Sequence, residues 1–277
     1  MELTYNPAVP KEWEVGDRGM MLRFASEGAG RIVLLLHGFP LDHTMWEGQR
    51  AAIGQNYHVI MPDLRGHGQT EAPDGIYPID DMADDVIELL DSLKITEPVV
   101  VGGLSMGGYL ALSLAVRYPK RLCGLMLIDT RAASDTKEAA RAREQLASSL
   151  ERGGEVEGAT SVMIGRLFAD STRVRHPEIV SRTSEVMRKT SPRAIIGCLR
   201  GMAVRPDRTN DLGRITIPTL VMAGEADLVI PLAESQSMAA AMPNAELVII
   251  PDAGHLAPLE NPPVANAAIL RFLGSLA

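Results

Sequence analysis

Cysteine, positive charge and long apolar runs are all scarce in this sequence. Its 277 residues include only two cysteines, Cys123 and Cys198, too few for a disulfide framework. The net charge of −8 argues against a nucleic-acid or anionic-membrane partner, since either would need a basic face. The longest apolar runs, such as 32–36, are too short to span a bilayer, and the first residues lack the pattern of a signal peptide. We therefore expect a cytoplasmic globular protein, of a size for one large domain or one domain with an insertion. Its oligomeric state stays open.

Motifs that bind metals or nucleotides are also missing. There is no His-x-His-x-Asp-His and no His-Glu-x-x-His pattern. The glycines at 102, 103, 107 and 108 lack the G-x-G-x-x-G spacing and the lysine of a phosphate-binding loop. We expect neither a metal ion nor another cofactor, and a small molecule as the binding partner.

Short apolar segments alternate with helical patterns along the chain, which is typical of a mostly parallel sheet covered by helices on both faces. A glycine-rich turn between 12–15 and 20–25 predicts an initial β-hairpin. The predicted sheet strands after it are 32–36, 57–61, 99–101, 122–128, 219–223 and 247–250. The predicted fold class is α/β.

Residues 131–212 differ from the rest of the chain because they are rich in charge and alanine and contain no strand pattern. Helices are predicted there at 135–150, 156–168, 177–189 and 192–202, the first of them capped by Asp135 with Glu138 three residues later. We interpret this segment as a helical cap inserted into a core made of residues 1–130 and 213–277.

The pentapeptide Gly103-Leu104-Ser105-Met106-Gly107 lies between a β-branched run and an Ala/Leu-rich helical segment. A sharp strand-to-helix turn strains the serine backbone and excludes side chains two residues to either side, so glycine is required at both places. By chance this pattern occurs in roughly one chain in ten of this length, so the flanking strand and helix give it its weight. Ser105 is the candidate nucleophile.

A serine nucleophile needs a base, and the base needs an orienting group. His255 follows the last predicted strand in a short loop, and Asp227 follows the strand before it. Both therefore lie at the carboxyl edge of the sheet, in the chain order that a serine triad uses on this architecture. Glu225 and Asp129 also follow strands and are alternatives to Asp227 as the acid.

Acyl transfer also needs donors for the developing oxyanion. The backbone N–H of Met106, at the start of the helix after the nucleophile, is one candidate. The second is expected from the loop after strand 32–36, where Gly38 lets the chain bend and makes Phe39 the donor. A plain turn is the alternative, which Pro40 also fits, and His37 is expected to hydrogen-bond within the loop.

These residues carry a family resemblance that extends from about residue 12 to the end. The segments HGFP, DLRGHG, GLSMGG, GEADLVIP and AGHLAPLENP resemble those of α/β-hydrolases, in particular esterases, enol-lactonases, cofactor-free haloperoxidases and acyl-homoserine lactonases. The resemblance implies a triad of Ser105, Asp227 and His255. Lipase-type members carry HGGG instead of HGFP, and epoxide hydrolases and haloalkane dehalogenases carry Asp at the nucleophile position.

The leading hypothesis is a serine hydrolase of carboxylic esters or lactones of small, mainly aliphatic substrates. Lactone hydrolysis and perhydrolysis share the same machinery, and the sequence does not separate them. A ligand-binding receptor on the same fold is the alternative from another class. The cap contains Phe168 as its single Phe, Tyr or Trp residue, which argues against a stacked aromatic substrate.

Overall fold

A seven-stranded sheet forms the centre of the protein in the computed structural model, which describes residues 20–276. The spatial order of its strands is β1-β3-β2-β4-β5-β6-β7. All neighbours pair in parallel except β1 with β3, which are antiparallel. The strands are β1 (Phe24–Glu27), β2 (Ile32–Leu36), β3 (His58–Pro62), β4 (Val99–Leu104), β5 (Leu122–Ile128), β6 (Thr219–Gly224) and β7 (Ala245–Ile250). The predicted α/β fold is confirmed.

Helices cover both faces of the sheet. The alternating side chains of β2 show why: Leu34 and Leu36 belong to one apolar cluster, whereas Val33 and Leu35 belong to the other. Because successive side chains of a strand point to opposite faces, an all-apolar strand needs a helical layer on each side. The helices of the core are α1 (Glu47–Ile53), α2 (Ile79–Ser92), α3 (Met106–Arg117), α9 (Leu232–Ala241), α10 (Ala257–Glu260) and α11 (Pro262–Ser275).

A helical insertion separates β5 from β6. It contains α4 (Lys137–Glu151), α5 (Val156–Leu167), α6 (Asp170–Arg175), α7 (Pro177–Lys189) and α8 (Pro192–Ala203). In α7 and α8 a proline occupies the first helical turn, where its missing N–H costs nothing. The insertion follows the strand after which the sequence predicts it, and α6 is the one of these helices that the sequence patterns do not predict.

The N-cap residue that the sequence predicts for α4 is wrong. Thr136, not Asp135, is the N-cap, and its hydroxyl accepts a hydrogen bond from Ala139 N–H. The Asp135 carboxylate is instead fully buried between three arginines, and it lies 2.7 Å from Arg205. Burial raises its pKa, but the hydrogen bonds and positive charges of Arg143 and Arg205 outweigh burial and lower the pKa overall.

The predicted N-terminal hairpin is only partly testable. Its first strand, 12–15, lies outside the described residues. The second strand begins later than predicted, at Phe24, and among the described residues it pairs with β3. None of the helices in that part is long and apolar enough to cross a membrane.

Two helical glycines offer a matched test of how tightly the insertion packs on the core. A Cβ at Gly201 in α8 would overlap the carbonyl oxygen of Tyr77, whereas a Cβ at Gly165 in α5 would meet no atom within 4 Å. We expect Gly201→Ala to lower the free energy of unfolding by about 1–3 kcal/mol through overpacking. Gly165→Ala should leave it unchanged or raise it by up to about 1 kcal/mol, because alanine favours the helix.

Denaturant unfolding of the two variants and the wild type measures both effects. Equal stability of the two variants would contradict the close approach of α8 to the Tyr77 segment.

Candidate active site

Ser105 lies in the turn that connects β4 to α3. Its backbone has φ +53° and ψ −112°, in the left-handed half of φ space that a residue with a side chain rarely adopts. A Cβ at Gly103 would overlap the Gly107 carbonyl, and one at Gly107 would overlap the Leu36 carbonyl. The steric reason predicted for both glycines is therefore the one observed.

Hydrogen bonds to neighbouring segments hold this turn. Ser105 N–H donates to the Ile128 carbonyl over 2.9 Å, which ties the turn to the end of β5. The Ser105 carbonyl accepts from Gly108 N–H (2.9 Å) and from the Thr130 hydroxyl (2.8 Å). A strained backbone of this kind costs about 1–3 kcal/mol and persists only where the surroundings over-determine it. Thr130 was not predicted from the sequence, although its place two residues after a buried strand is a usable signal.

The structure brings Ser105, His255 and Asp227 into one hydrogen-bonded chain. His255 Nε2 lies 2.8 Å from Ser105 Oγ, and His255 Nδ1 lies 2.8 Å from Asp227 Oδ2. The other oxygen of Asp227 accepts from the N–H groups of Val229 (2.7 Å) and Ile230 (3.0 Å). Since a carboxylate only accepts, Nδ1 of the histidine carries the hydrogen and Nε2 is left to accept the serine proton.

The two alternative acids have other partners. Asp129 is fully buried and accepts from Gly224 N–H (2.7 Å) and Ala257 N–H (3.2 Å). Glu225 accepts from Asp252 N–H at 3.4 Å. Within the described residues neither carboxyl group hydrogen-bonds to His255. Burial, and then the charge of Asp227, raise the pKa of Asp129 well above its usual value.

The predicted oxyanion donors lie close to the serine. A Cβ at Gly38 would be 2.8 Å from the Leu104 side chain and 3.6 Å from Ser105 Cβ, so the Phe39 loop runs directly beside the nucleophile turn. Met106 is the first residue of α3, where backbone N–H groups have no acceptor in the helix. In the part of the chain that is described, neither Phe39 N–H nor Met106 N–H donates to a protein acceptor.

His37 fixes the shape of this loop. Its Nε2 accepts from Leu64 N–H at 2.9 Å, so its Nδ1 carries the hydrogen that is donated to the Gly38 carbonyl at 2.9 Å. Complete burial lowers the pKa of His37 to about 4, which keeps the ring neutral at neutral pH. The predicted hydrogen bond within the loop is present.

One group of potential metal ligands exists among the described residues. Polar atoms of Asp42, His43 and Asp63 lie within 4.8 Å of one another. They already bond to protein groups: Asp63 Oδ1 accepts from His43 Nδ1 (2.7 Å), and Asp42 Oδ1 accepts from Thr44 N–H (3.0 Å). Asp63 also accepts from two backbone N–H groups, which makes the cluster a loop anchor rather than an open coordination site.

An apolar cavity of about 170 Å³ lies where α7 meets the core. Leu41, Met45, Ile179 and Val186 contribute its apolar wall. Pro258 and Leu259, which follow the His255 loop, close one side of it, but none of the five predicted site residues lines it.

Fold and site together identify the class of protein. Residues 31–262 match the family model described as alpha/beta hydrolase fold. The chain belongs to the α/β-hydrolase family.

Three proteins illustrate which members of that family the chain resembles. The chain is 34% identical over 229 residues to 3-oxoadipate enol-lactonase 2 of Acinetobacter baylyi, covering 82% of each protein. It resembles the structure of a thermophilic esterase from Thermogutta terrifontis with 40% identity and a TM-score of 0.91, covering 94% of this chain and 96% of that one. The enol-lactonase of Burkholderia xenovorans LB400 matches with 27% identity and a TM-score of 0.87, over 93% of this chain and 98% of that one.

The burial of Asp129 predicts a pH-dependent contribution to stability. An aspartate with a raised pKa keeps its proton in the folded protein after the unfolded chain has lost it. Its contribution is therefore fully present below the unfolded value of 3.8 and is lost as the pH rises through the folded pKa. The amide that replaces this carboxyl group in Asp129→Asn does not titrate.

We expect the unfolding free energy of the wild type to fall relative to that of Asp129→Asn between pH 4 and pH 8. Denaturant unfolding at several pH values measures the difference, with an unchanged m-value as the control for the same two states. A difference that is independent of pH would contradict the raised pKa.

Proposed function

We propose that this protein is a serine hydrolase that cleaves carboxylic esters or lactones through an acyl-enzyme on Ser105. The observation that carries the proposal is the position of His255: its Nε2 lies 2.8 Å from Ser105 Oγ and its Nδ1 lies 2.8 Å from Asp227 Oδ2. A nucleophile hydrogen-bonded to a base, and the base to an orienting acid, is the arrangement that activates a serine hydroxyl. The esterase and enol-lactonase relatives support the same reaction class.

In the acylation step, Ser105 Oγ attacks the carbonyl carbon while its proton moves to Nε2 of His255. The N–H groups of Phe39 and Met106 stabilise the charge on the carbonyl oxygen of the tetrahedral intermediate. When this intermediate collapses, the bond to the leaving oxygen breaks and that oxygen takes the proton from His255. An alcohol is released from an ester, whereas in a lactone it stays tethered to the acyl group.

Deacylation repeats these steps with water as the nucleophile. His255 removes a proton from water, hydroxide attacks the acyl carbon, and the proton returns to Ser105 Oγ as the carboxylic acid leaves. Asp227 stays ionised throughout and stabilises the imidazolium form of His255.

The insertion favours aliphatic substrates. Phe168, its single Phe, Tyr or Trp residue, is 1% exposed and packs in the apolar core beneath the insertion. No Phe, Tyr or Trp ring of this segment is therefore available to stack on a substrate. The two enol-lactonase relatives favour a lactone as the second candidate substrate class.

Replacement of the nucleophile tests the reaction directly. We expect Ser105→Ala to lower ester hydrolysis by about 10⁶-fold, the loss seen when the nucleophile of a serine triad is removed. The assay is initial rates on short p-nitrophenyl esters, with γ-lactones and an ester plus peroxide in parallel to rank the three activities. A fluorophosphonate should label the wild type at Ser105 and leave Ser105→Ala unlabelled.

Full ester hydrolysis by Ser105→Ala would refute the proposal. An unlabelled, inactive wild type would favour the receptor alternative.

The identity of the acid is tested with a matched pair of carboxyl groups from the same strand end. Asp227→Asn should lower kcat by about 10⁴-fold, because an amide facing Nδ1 favours the wrong imidazole tautomer. Glu225→Gln, two residues away, should keep the wild-type rate, since within the described residues the Glu225 carboxyl group bonds only Asp252 N–H. The reverse result would assign the acid to Glu225.

A further inference from the structure

Glu260, the last residue of α10, carries a buried carboxylate close to the proposed base. It is 8% exposed, and its Oε1 accepts from Gly254 N–H (2.9 Å) and Leu256 N–H (3.2 Å). These two N–H groups belong to the residues immediately before and after His255. One carboxylate oxygen therefore holds the backbone on both sides of the histidine.

The second oxygen of Glu260 binds the helical insertion. Oε2 accepts from Ala169 N–H (2.9 Å), at the start of α6, and from the Thr172 hydroxyl (2.7 Å) within that helix. All four donors to Glu260 are uncharged. Burying a carboxylate without an ion pair is expensive unless its oxygens are well hydrogen-bonded, so this set of four bonds is a built feature of the fold.

A third contact joins the same two segments. His255 N–H donates to the carbonyl of Leu167, the last residue of α5, at 2.9 Å. The approach leaves no room for a side chain, since a Cβ at Gly254 would lie 2.6 Å from the Ala169 nitrogen. The histidine loop and the α5–α6 junction are thus in direct contact at the backbone.

We propose that Glu260 is a positioning residue for His255: it clamps the backbone on both sides of the histidine to the α5–α6 junction and so fixes Nε2 relative to Ser105 Oγ. This inference rests on the proposed function. Among the described residues Glu260 hydrogen-bonds neither the serine nor the proposed oxyanion donors, so its loss reaches the chemical step through the histidine loop. A displacement of about 1 Å of a catalytic group costs up to roughly 10²-fold in rate.

Two substitutions at Glu260 separate positioning from bulk packing. Leucine has a similar volume but accepts no hydrogen bond. Glutamine keeps one acceptor oxygen for Gly254 and Leu256, and its NH₂ group can donate to the Thr172 hydroxyl, which leaves only Ala169 N–H without its acceptor. We expect kcat to fall by about 10- to 100-fold in Glu260→Leu and to be largely restored in Glu260→Gln.

The measurement is kcat and KM on a p-nitrophenyl ester, with kcat divided by the concentration of sites that a fluorophosphonate labels. KM should stay within about twofold of wild type in both variants, because a misplaced base slows the chemical step without removing substrate contacts. The rate constant for fluorophosphonate labelling should fall in parallel with kcat, since both depend on the same serine and base. Glu246→Gln, at an exposed glutamate on β7, is the control and should match the wild type.

Three results would overturn the role of Glu260: a wild-type kcat per labelled site in both variants, a loss confined to KM, or no recovery in glutamine relative to leucine. If Glu260→Leu does not fold, the test relies on Glu260→Gln, which lacks only the acceptor for Ala169 N–H. We then expect its kcat to be about two- to tenfold below that of the wild type at unchanged KM, because a slightly misplaced base slows the chemical step. Ser105→Ala measured in parallel separates the two proposals. If it keeps the activity, the proposed function fails; if it alone loses the activity, only the role of Glu260 fails.

Discussion

The backbone of Ser105 is the constraint on which the rest of the site depends. Its φ of +53° costs free energy for a residue with a side chain. What holds the conformation is the packing of Gly103 and Gly107 against carbonyl groups that any Cβ would overlap, together with bonds to Ile128 and from Thr130. The end of β5 is therefore as necessary for the conformation of this turn as the pentapeptide itself.

A second constraint acts on the loop that carries His255. Loop backbone that is buried must find acceptors for its N–H groups outside regular structure. Here four consecutive N–H groups, at 254–257, donate in turn to Glu260, to the Leu167 carbonyl, again to Glu260, and to Asp129. Two buried carboxyl groups thus accept three of these four hydrogen bonds, as the carbonyl groups of a neighbouring strand do in a β-sheet. These four bonds fix the backbone of the His255 loop independently of the hydrogen bond between Asp227 and the imidazole.

The sequence predicted those parts of the molecule that depend on local pattern. Apolar runs located all the parallel strands, and steric logic at Gly103 and Gly107 located the turn. The order of residues 105, 227 and 255 along strand ends predicted which side chains would meet, and the structure brings them into contact. Their catalytic roles stay predictions.

Features that depend on tertiary partners were not predictable in the same way. Asp135 has the spacing of a helix cap, but its real partners are arginines at 131, 143 and 205, which only the folded chain assembles. Helices α6 and α10 are too short to show a periodicity. Glu260 lies in the AGHLAPLENP segment, whose predicted site residue is the histidine. Its four donors come from two distant segments, 169–172 and 254–256. No local pattern contains that information.

These partners also bear on how the family varies its substrates. The insertion is bonded to three loops of the proposed site. It contacts the histidine loop through 167–172, the Asp227 loop through Arg166 and the Leu228 carbonyl, and the Phe39 loop through the Thr190 hydroxyl and the Pro40 carbonyl. We expect a change at any of these anchors to disturb the geometry of the proposed site. Substitutions that alter specificity alone should therefore fall on the faces of α5 and α7 between the anchors. There the insertion can change shape while the backbone that positions His255 stays fixed.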